Sequence, residues 1–314
     1  MRAFAAALLA ENKTAASAGS PPSFGVAVHA FNCPEWFFAA LGAMHAGSTV
    51  SGIYTTNTYE QAAHILKTSA VRVLVLEDEE QLASTYGTLL ADFPAVTAVL
   101  LRGGDDSPRS RTPSYAAFVA RGSRSSSSSS KKSSTVVLPA PEQLSGDAVT
   151  SLVYTSGTTG NPKAVELTHA NVHAVCAMMH ARIPLSEKTV VVSYLPLSHI
   201  AAQGIDIMSA VYCGATVHFA DADALKGSLK QTLKRVRPTL FFGVPRVWEK
   251  MQAAMLAVAA EKYAKPGVGP VLKTIGSAAK AVGAKCKSGY AYLPISSFLT
   301  FSLTQQPLSE CMDG

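Results

Sequence analysis

The feature that most restricts how this chain can fold is its repeated alternation of short, β-rich apolar runs with longer helical patterns. Phe24–His29, Val50–Tyr54, Val71–Leu76 and Val96–Leu101 read as strands. Between them, one helical pattern runs through Trp36, Phe37, Leu41 and Met44 to Gly47, a second buries Ile65 and Leu66, and a third covers Gln81–Leu90. The alternation resumes with strands at Ala148–Tyr154, Thr189–Ser193, Thr216–Phe219 and Thr239–Phe242. Helical patterns at Asn171–His180, Ile200–Tyr212 and Ala224–Arg235 separate them, and an Ala-rich one continues from Pro245 towards Lys262. Parallel strands need long crossovers, for which helices are the usual solution. The expected fold is therefore α/β, with mainly parallel sheets flanked by helices. Val71–Leu76 is nearly continuously apolar, as strands buried on both faces are.

Helix starts are marked locally. Asn32 with Glu35 three residues on reads as a capping box, with Pro34 suited to the first turn, and Thr58 with Gln61 repeats the pattern. The N-terminal run Ala3–Ala10 after Arg2 admits two readings: a short signal peptide with small residues near Ala15–Ala18, or an amphipathic helix ending at Glu11-Asn12-Lys13. Tyr290–Leu303 is apolar but too short to span a bilayer and is broken by Pro294.

Composition breaks between Gly103 and Ser134, a polar stretch that ends in Arg121-Gly122-Ser123-Arg124, six further serines, Lys131 and Lys132. Such a segment buries too little apolar surface to offset its ordering entropy, so it reads as a disordered surface insertion with one short helix at Tyr115–Ala120. The expected organisation is an α/β subdomain at 1–102, a linker at 103–147, a second α/β subdomain at 148–264 and an atypical tail at 265–314.

Over the whole chain, 48% hydrophobic and 15% charged residues indicate a substantial buried core. The net charge of +6 favours anionic ligands such as nucleotides, or an acidic membrane surface. The Lys and Arg residues are scattered without interleaved aromatics, which argues against a nucleic-acid partner. Five widely spaced cysteines without a CxxC pair read as reduced thiols of a cytoplasmic protein. His169 and His173 stand four apart with no further ligand nearby, so no metal site is expected.

One segment carries chemistry. Tyr154-Thr155-Ser156-Gly157-Thr158-Thr159-Gly160-Asn161-Pro162-Lys163 follows a strand and packs glycines, hydroxyls and a lysine together. Glycines let the backbone approach closely and turn N–H groups inward as an anion-binding nest. The hydroxyls add donors and Lys163 a mobile positive charge, a set suited to polyphosphate. The spacing is not that of a Walker A loop, and on composition alone an ordinary Gly/Ser/Thr turn stays open.

The string Thr155–Lys163 resembles the phosphate-binding loop of the adenylate-forming (AMP-binding) superfamily. It departs in having Ala164 where the family usually has Gly, a substitution that would be strained if the position required positive φ. Ser193-Tyr194-Leu195-Pro196-Leu197-Ser198-His199-Ile200 resembles that family's second core motif, and Gly243-Val244-Pro245-Arg246-Val247-Trp248-Glu249-Lys250 resembles the turn at the acyl and adenine side of long-chain synthetases. With Asn32–Phe38 and Gly52–Thr56, the whole is most similar to long-chain fatty acyl-CoA synthetases of the bubblegum-type branch, over about Phe24 to Lys250.

The resemblance implies the large N-terminal domain of the adenylate-forming fold and ATP-dependent activation of long-chain fatty acids to acyl-CoA through an acyl-adenylate. Thr155, Ser156, Gly157, Thr158, Thr159, Gly160 and Lys163 would bind the nucleotide, with Lys163 and His199 as catalytic residues. His199, Gly243, Val244, Pro245 and Arg246 would shape the substrate site. ATP with Mg2+, CoA and a long-chain fatty acid are the implied cofactors and partners. The implied location is the cytoplasm, with peripheral contact at the endoplasmic reticulum or another membrane as an extension. The family's Tyr-Gly-x-[Ser/Thr]-Glu and Thr-Gly-Asp segments, its hinge and its C-terminal lid find no counterpart here, and Ser145-Gly146-Asp147 precedes the loop. The chain is therefore expected to be an incomplete, truncated form of the domain with the lid absent. Two alternatives stand beside this reading: a non-catalytic nucleotide- or acyl-binding module, and an adenylating enzyme for another carboxylic acid.

Overall fold

A computed structural model describes residues 1–13, 24–107, 110–124, 138–155, 161–263 and 300–301. They belong to two compact units, Met1–Thr232 and Leu233–Gly314.

The first unit begins with α1 (Arg2–Lys13), whose Phe4, Ala5, Ala7 and Leu8 are buried. Strands β1 (Gly25–His29), β2 (Thr49–Gly52), β3 (Val71–Leu76) and β4 (Thr97–Leu100) then alternate with helices α2 (Pro34–His45), α3 (Tyr59–Thr68), α4 (Glu79–Thr85) and α5 (Leu89–Asp92). After α6 (Tyr115–Arg124) come β5 (Val149–Thr155) and β6 (Lys163–Thr168). These six strands form one sheet in the order β4-β3-β1-β2-β5-β6, parallel throughout except for the β5–β6 pair. The chain continues through α7 (His169–Arg182), β7 (Val190–Ser193), α8 (Ile200–Ala202), a π-helical stretch at Gln203–Ser209, α9 (Ala210–Cys213), β8 (Thr216–Phe219) and α10 (Leu229–Val236), with β7 and β8 paired in parallel.

One sheet face presents Ala27, Leu74, Leu76, Ala98, Leu100, Leu152 and Tyr154 to Ile65 and Leu66 of α3 and to Tyr86 and Leu89, all buried. Burying a Leu or Ile side chain contributes roughly 1.5–3 kcal/mol, so this face is a principal source of stability. The alternate strand residues Val26, Val28, Val50, Val73 and Val75 are equally buried on the other face, which makes β1 and β3 apolar on both sides. The Thr58–Gln61 capping box forms with both reciprocal hydrogen bonds.

Several elements differ from the sequence reading. α2 starts at Pro34 with Cys33 in the capping position, and the Asn32 side chain is engaged elsewhere. The described residues of the polar stretch are structured as far as Arg124. Ala98 and Leu100 donate backbone hydrogen bonds to the carbonyls of Arg111 and Pro113, and Phe118 of α6 is fully buried. Phe4 of α1 stacks against Tyr115 at 5.6 Å and meets Phe118 at 5.4 Å. α6 crosses α1 so closely that a Cβ on Gly122 would lie 2.5 Å from the Ala7 nitrogen. Two aromatic residues and one glycine of this segment make these contacts, too few to register in its composition. Residues 125–137 lie outside the described residues. The helix expected over Ala224–Arg235 is split at Gly227, whose φ of 148° suits glycine.

The second unit contains β9 (Phe241–Phe242), α11 (Pro245–Tyr263) and β10 (Thr300–Phe301), with β9 and β10 antiparallel.

Candidate functional site

β5 delivers Thr155 to the carboxyl end of the parallel sheet, and β6 returns from Lys163 directly opposite it. Both side chains are exposed. An exposed hydroxyl and an exposed ammonium across the mouth of one hairpin form a donor set that fits a polyphosphate. Ser156, Gly157, Thr158, Thr159 and Gly160 lie outside the described residues. Ala164 sits in β6 opposite Tyr154 and is not among the residues with positive φ, so the departure from glycine carries no backbone strain.

Both stems of this hairpin are tied to α3. The Tyr154 hydroxyl lies 2.6 Å from Thr68 Oγ1 and 2.8 Å from Ser69 Oγ. On the returning side, His64 Nε2 lies 3.0 Å from the Pro162 carbonyl oxygen, which makes the imidazole the donor. His64 and Thr68 are four apart and so share one face of the helix. Sequence reasoning missed all three, because nothing local links α3 to residues about 90 positions away.

His199 ends the turn that follows β7. Its side chain is exposed, and Nδ1 accepts a hydrogen bond from the Ala201 N–H at 3.1 Å, capping α8. With Nδ1 accepting, Nε2 carries the proton and is the ring's donor. The turn rests on the carboxyl end of the sheet: a Cβ on Gly52, the last residue of β2, would lie 2.5 Å from the Ser198 Cα. Beside it, the Ser151 hydroxyl of β5 donates to Gln203 Oε1 at 3.2 Å, while Gln203 Nε2 has no partner among the described residues. Thr155, Lys163 and the His199 turn thus occupy the same end of neighbouring strands, where open α/β sheets bind ligands.

A buried carboxyl bonds to Ser193, the last residue of β7. Asp206 lies in the π-helical stretch, 5% exposed, and burial pushes its pKa up to about 7 while a hydrogen bond from Ser193 acts to lower it. Tyr194 is also buried, and both burial and the nearby Asp206 raise its phenol.

In the second unit the Gly243 carbonyl accepts from Trp248 Nε1 at 2.8 Å, and the indole meets the Phe241 ring edge-on at 5.3 Å. A Cβ on Gly243 would lie 2.9 Å from that nitrogen, so the turn requires the absent side chain. Val244, Pro245 and Arg246 are exposed at the start of α11.

Among the described residues no group of three or more His, Cys, Asp or Glu could hold a metal ion. Among them, too, no helix is long and apolar enough to cross a membrane. Cys33, Cys176 and Cys213 are free thiols, and burial pushes Cys33 up to about 12; Cys286 and Cys311 lie outside the described residues.

The sheet, the crossover helices and the hairpin at the carboxyl ends define an α/β nucleotide-binding architecture of the adenylate-forming type. The chain belongs to the AMP-binding enzyme family, whose model matches residues 1–294. It is 35% identical over 297 residues to the long-chain-fatty-acid–CoA ligase ACSBG2 of Gallus gallus, covering 92% of this chain and 37% of that relative. It is 39% identical over 253 residues to the long-chain-fatty-acid–CoA ligase heimdall of Drosophila melanogaster, covering 80% of this chain and 36% of that one. The chain therefore spans little more than a third of the length of these curated relatives. Its fold is similar to the inhibitor-bound N-terminal domain of FACL13 from Mycobacterium tuberculosis, with a TM-score of 0.58 and 22% identity over 80% of this chain and 56% of that one.

Proposed function

We propose that this chain carries the nucleotide- and acyl-binding part of a long-chain fatty acid–CoA ligase, which activates a fatty acid with ATP to an acyl-adenylate and passes the acyl group to CoA. The observation that supports this best is the Thr155–Lys163 pair at the carboxyl end of β5, on the same end of the sheet as the His199 turn. In-line displacement at phosphorus depends on positioning and charge neutralisation, which a lysine and a ring of donors supply. Lys163 and Thr155 would hold ATP phosphates, and His199 would orient the attacking carboxylate. Gly243, Val244, Pro245 and Arg246 would shape the acyl and adenine side. Magnesium enters this reading as the counter-ion of ATP, CoA as the second substrate, and peripheral membrane contact as the route to an insoluble acid.

The purified chain should bind a fluorescent ATP analogue saturably. Lys163→Ala should weaken that binding about tenfold, the loss of roughly one charge-assisted contact. Absence of saturable ATP binding by the unmodified chain would overturn the proposal. A panel of acids of rising chain length tests the substrate class, and preference for a short or aromatic acid would redirect it.

A further inference from the structure

The residue that sequence reasoning assigned to the start of α2 makes none of the expected capping contacts. Asn32 is 5% exposed, just beyond the carboxyl end of β1, and its amide is directed at a segment more than 160 positions away. Nδ2 donates to Ser193 Oγ at 2.9 Å and to the Leu195 carbonyl at 2.8 Å, and Oδ1 accepts from the Leu197 N–H at 3.2 Å. Both amide protons and one acceptor position are thereby engaged. Ser193, whose oxygen accepts from Asn32, still has its own proton, and that proton is directed to the Asp206 carboxyl.

We propose that Asn32 is a positioning residue for the acyl-carboxylate site: its amide clamps the Ser193–Leu197 backbone to the end of β1 and so fixes where His199 stands. This rests on the role given to His199 above. The turn has three supports: Asn32 beneath residues 193–197, Gly52 against Ser198, and Asp206 behind Ser193. Of these, Asn32 alone holds the turn's backbone on both its N–H and its C=O side. An amide is needed because the site presents one donor and two acceptors at once. A carboxylate would set oxygen against the Leu195 carbonyl, and a hydrophobic side chain would leave buried polar groups unpaired.

Asn32→Asp keeps the side chain's shape and removes both donors. In a chain labelled at its histidines, the Cε1–H resonance of His199, assigned by its loss in His199→Gln, should move in Asn32→Asp. Palmitate affinity should fall about tenfold while affinity for the ATP analogue stays within about twofold. As a control, Leu66→Ala, in the core on the opposite sheet face, should lower the unfolding midpoint and leave the His199 resonance in place. Should Asn32→Asp fail to fold, Asn32→Ser decides through the same resonance, since its shorter neutral side chain gives up the contacts to Leu195 and Leu197 without burying a carboxylate. An unmoved His199 resonance in a folded Asn32→Asp or Asn32→Ser chain overturns the positioning role. Failure of the unmodified chain to bind palmitate overturns instead the assignment of the acyl site, and the resonance still reports on the clamp.

Discussion

Replacing Asp206 by asparagine should uncover a pH dependence of stability that the unmodified chain conceals. Burial raises the Asp206 carboxyl from 3.8 to about 7. The unfolded chain releases this proton above about pH 4 while the folded chain keeps it, so this group's contribution is complete at low pH and is lost as pH rises towards 7. About three pH units at about 1.4 kcal/mol each amount to about 4 kcal/mol. Buried His29 works in the opposite sense. Its imidazole is lowered from 6.5 to about 4 by burial, against a smaller opposing hydrogen bond at Thr55. Its contribution is present above pH 6.5 and is lost as pH falls through 4, about 3 kcal/mol in all. His169, also lowered by burial, adds in the same direction as His29. Between pH 4 and 6.5 the two slopes oppose one another and nearly cancel. Asp206→Asn removes one of them, so stability should then climb by about 3 kcal/mol from pH 4 to 6.5 and level off above. His29→Gln should produce the mirror image, a decline from pH 4 to 7. The probe is Trp36 fluorescence during urea unfolding, in a Trp248→Phe background, because these are the chain's two tryptophans and Trp36 is buried in the first unit. An unmodified chain that already climbs over this range, with a slope that Asp206→Asn leaves unchanged, would show that Asp206 is ionised in the fold, whereas a flat Asp206→Asn profile would refute the lowered His29 imidazole.

Two glycine substitutions test the close approaches. Gly52→Ala places a methyl group 2.5 Å from the Ser198 Cα and should lower stability by about 1–3 kcal/mol in the same unfolding assay. Wild-type stability in that variant would mean the His199 turn does not rest on β2. Gly122→Ala meets the Ala7 nitrogen at 2.5 Å and should cost a similar amount, with faster proteolytic cleavage between α6 and β5 as a second readout.

The parallel sheet was legible because its strands are buried on both faces, so that Val71–Leu76 reads as strand from its own residues. The Thr58–Gln61 cap was legible because both partners lie within one turn. β6 was not, since Lys163-Ala164-Val165-Glu166 is exposed at the sheet edge and lacks the apolar signal of its neighbours. Asn32 shows the opposite failure. Its local context, Pro34 and Glu35, fits a helix start, but partners more than 160 residues away outcompete that use. Of the candidate site, residue types and order could be read from the chain, which is why Thr155, Lys163 and His199 stood out. Their supports, His64, Thr68, Ser69 and Asn32, belong to α3 and the end of β1, and only the folded sheet brings them near.

That α3 grips both legs of the hairpin has a mechanical consequence. With Tyr154 moored on one side and Pro162 on the other, the two stems of the hairpin have their footings on a separate element. A shift of α3 would therefore carry both footings together.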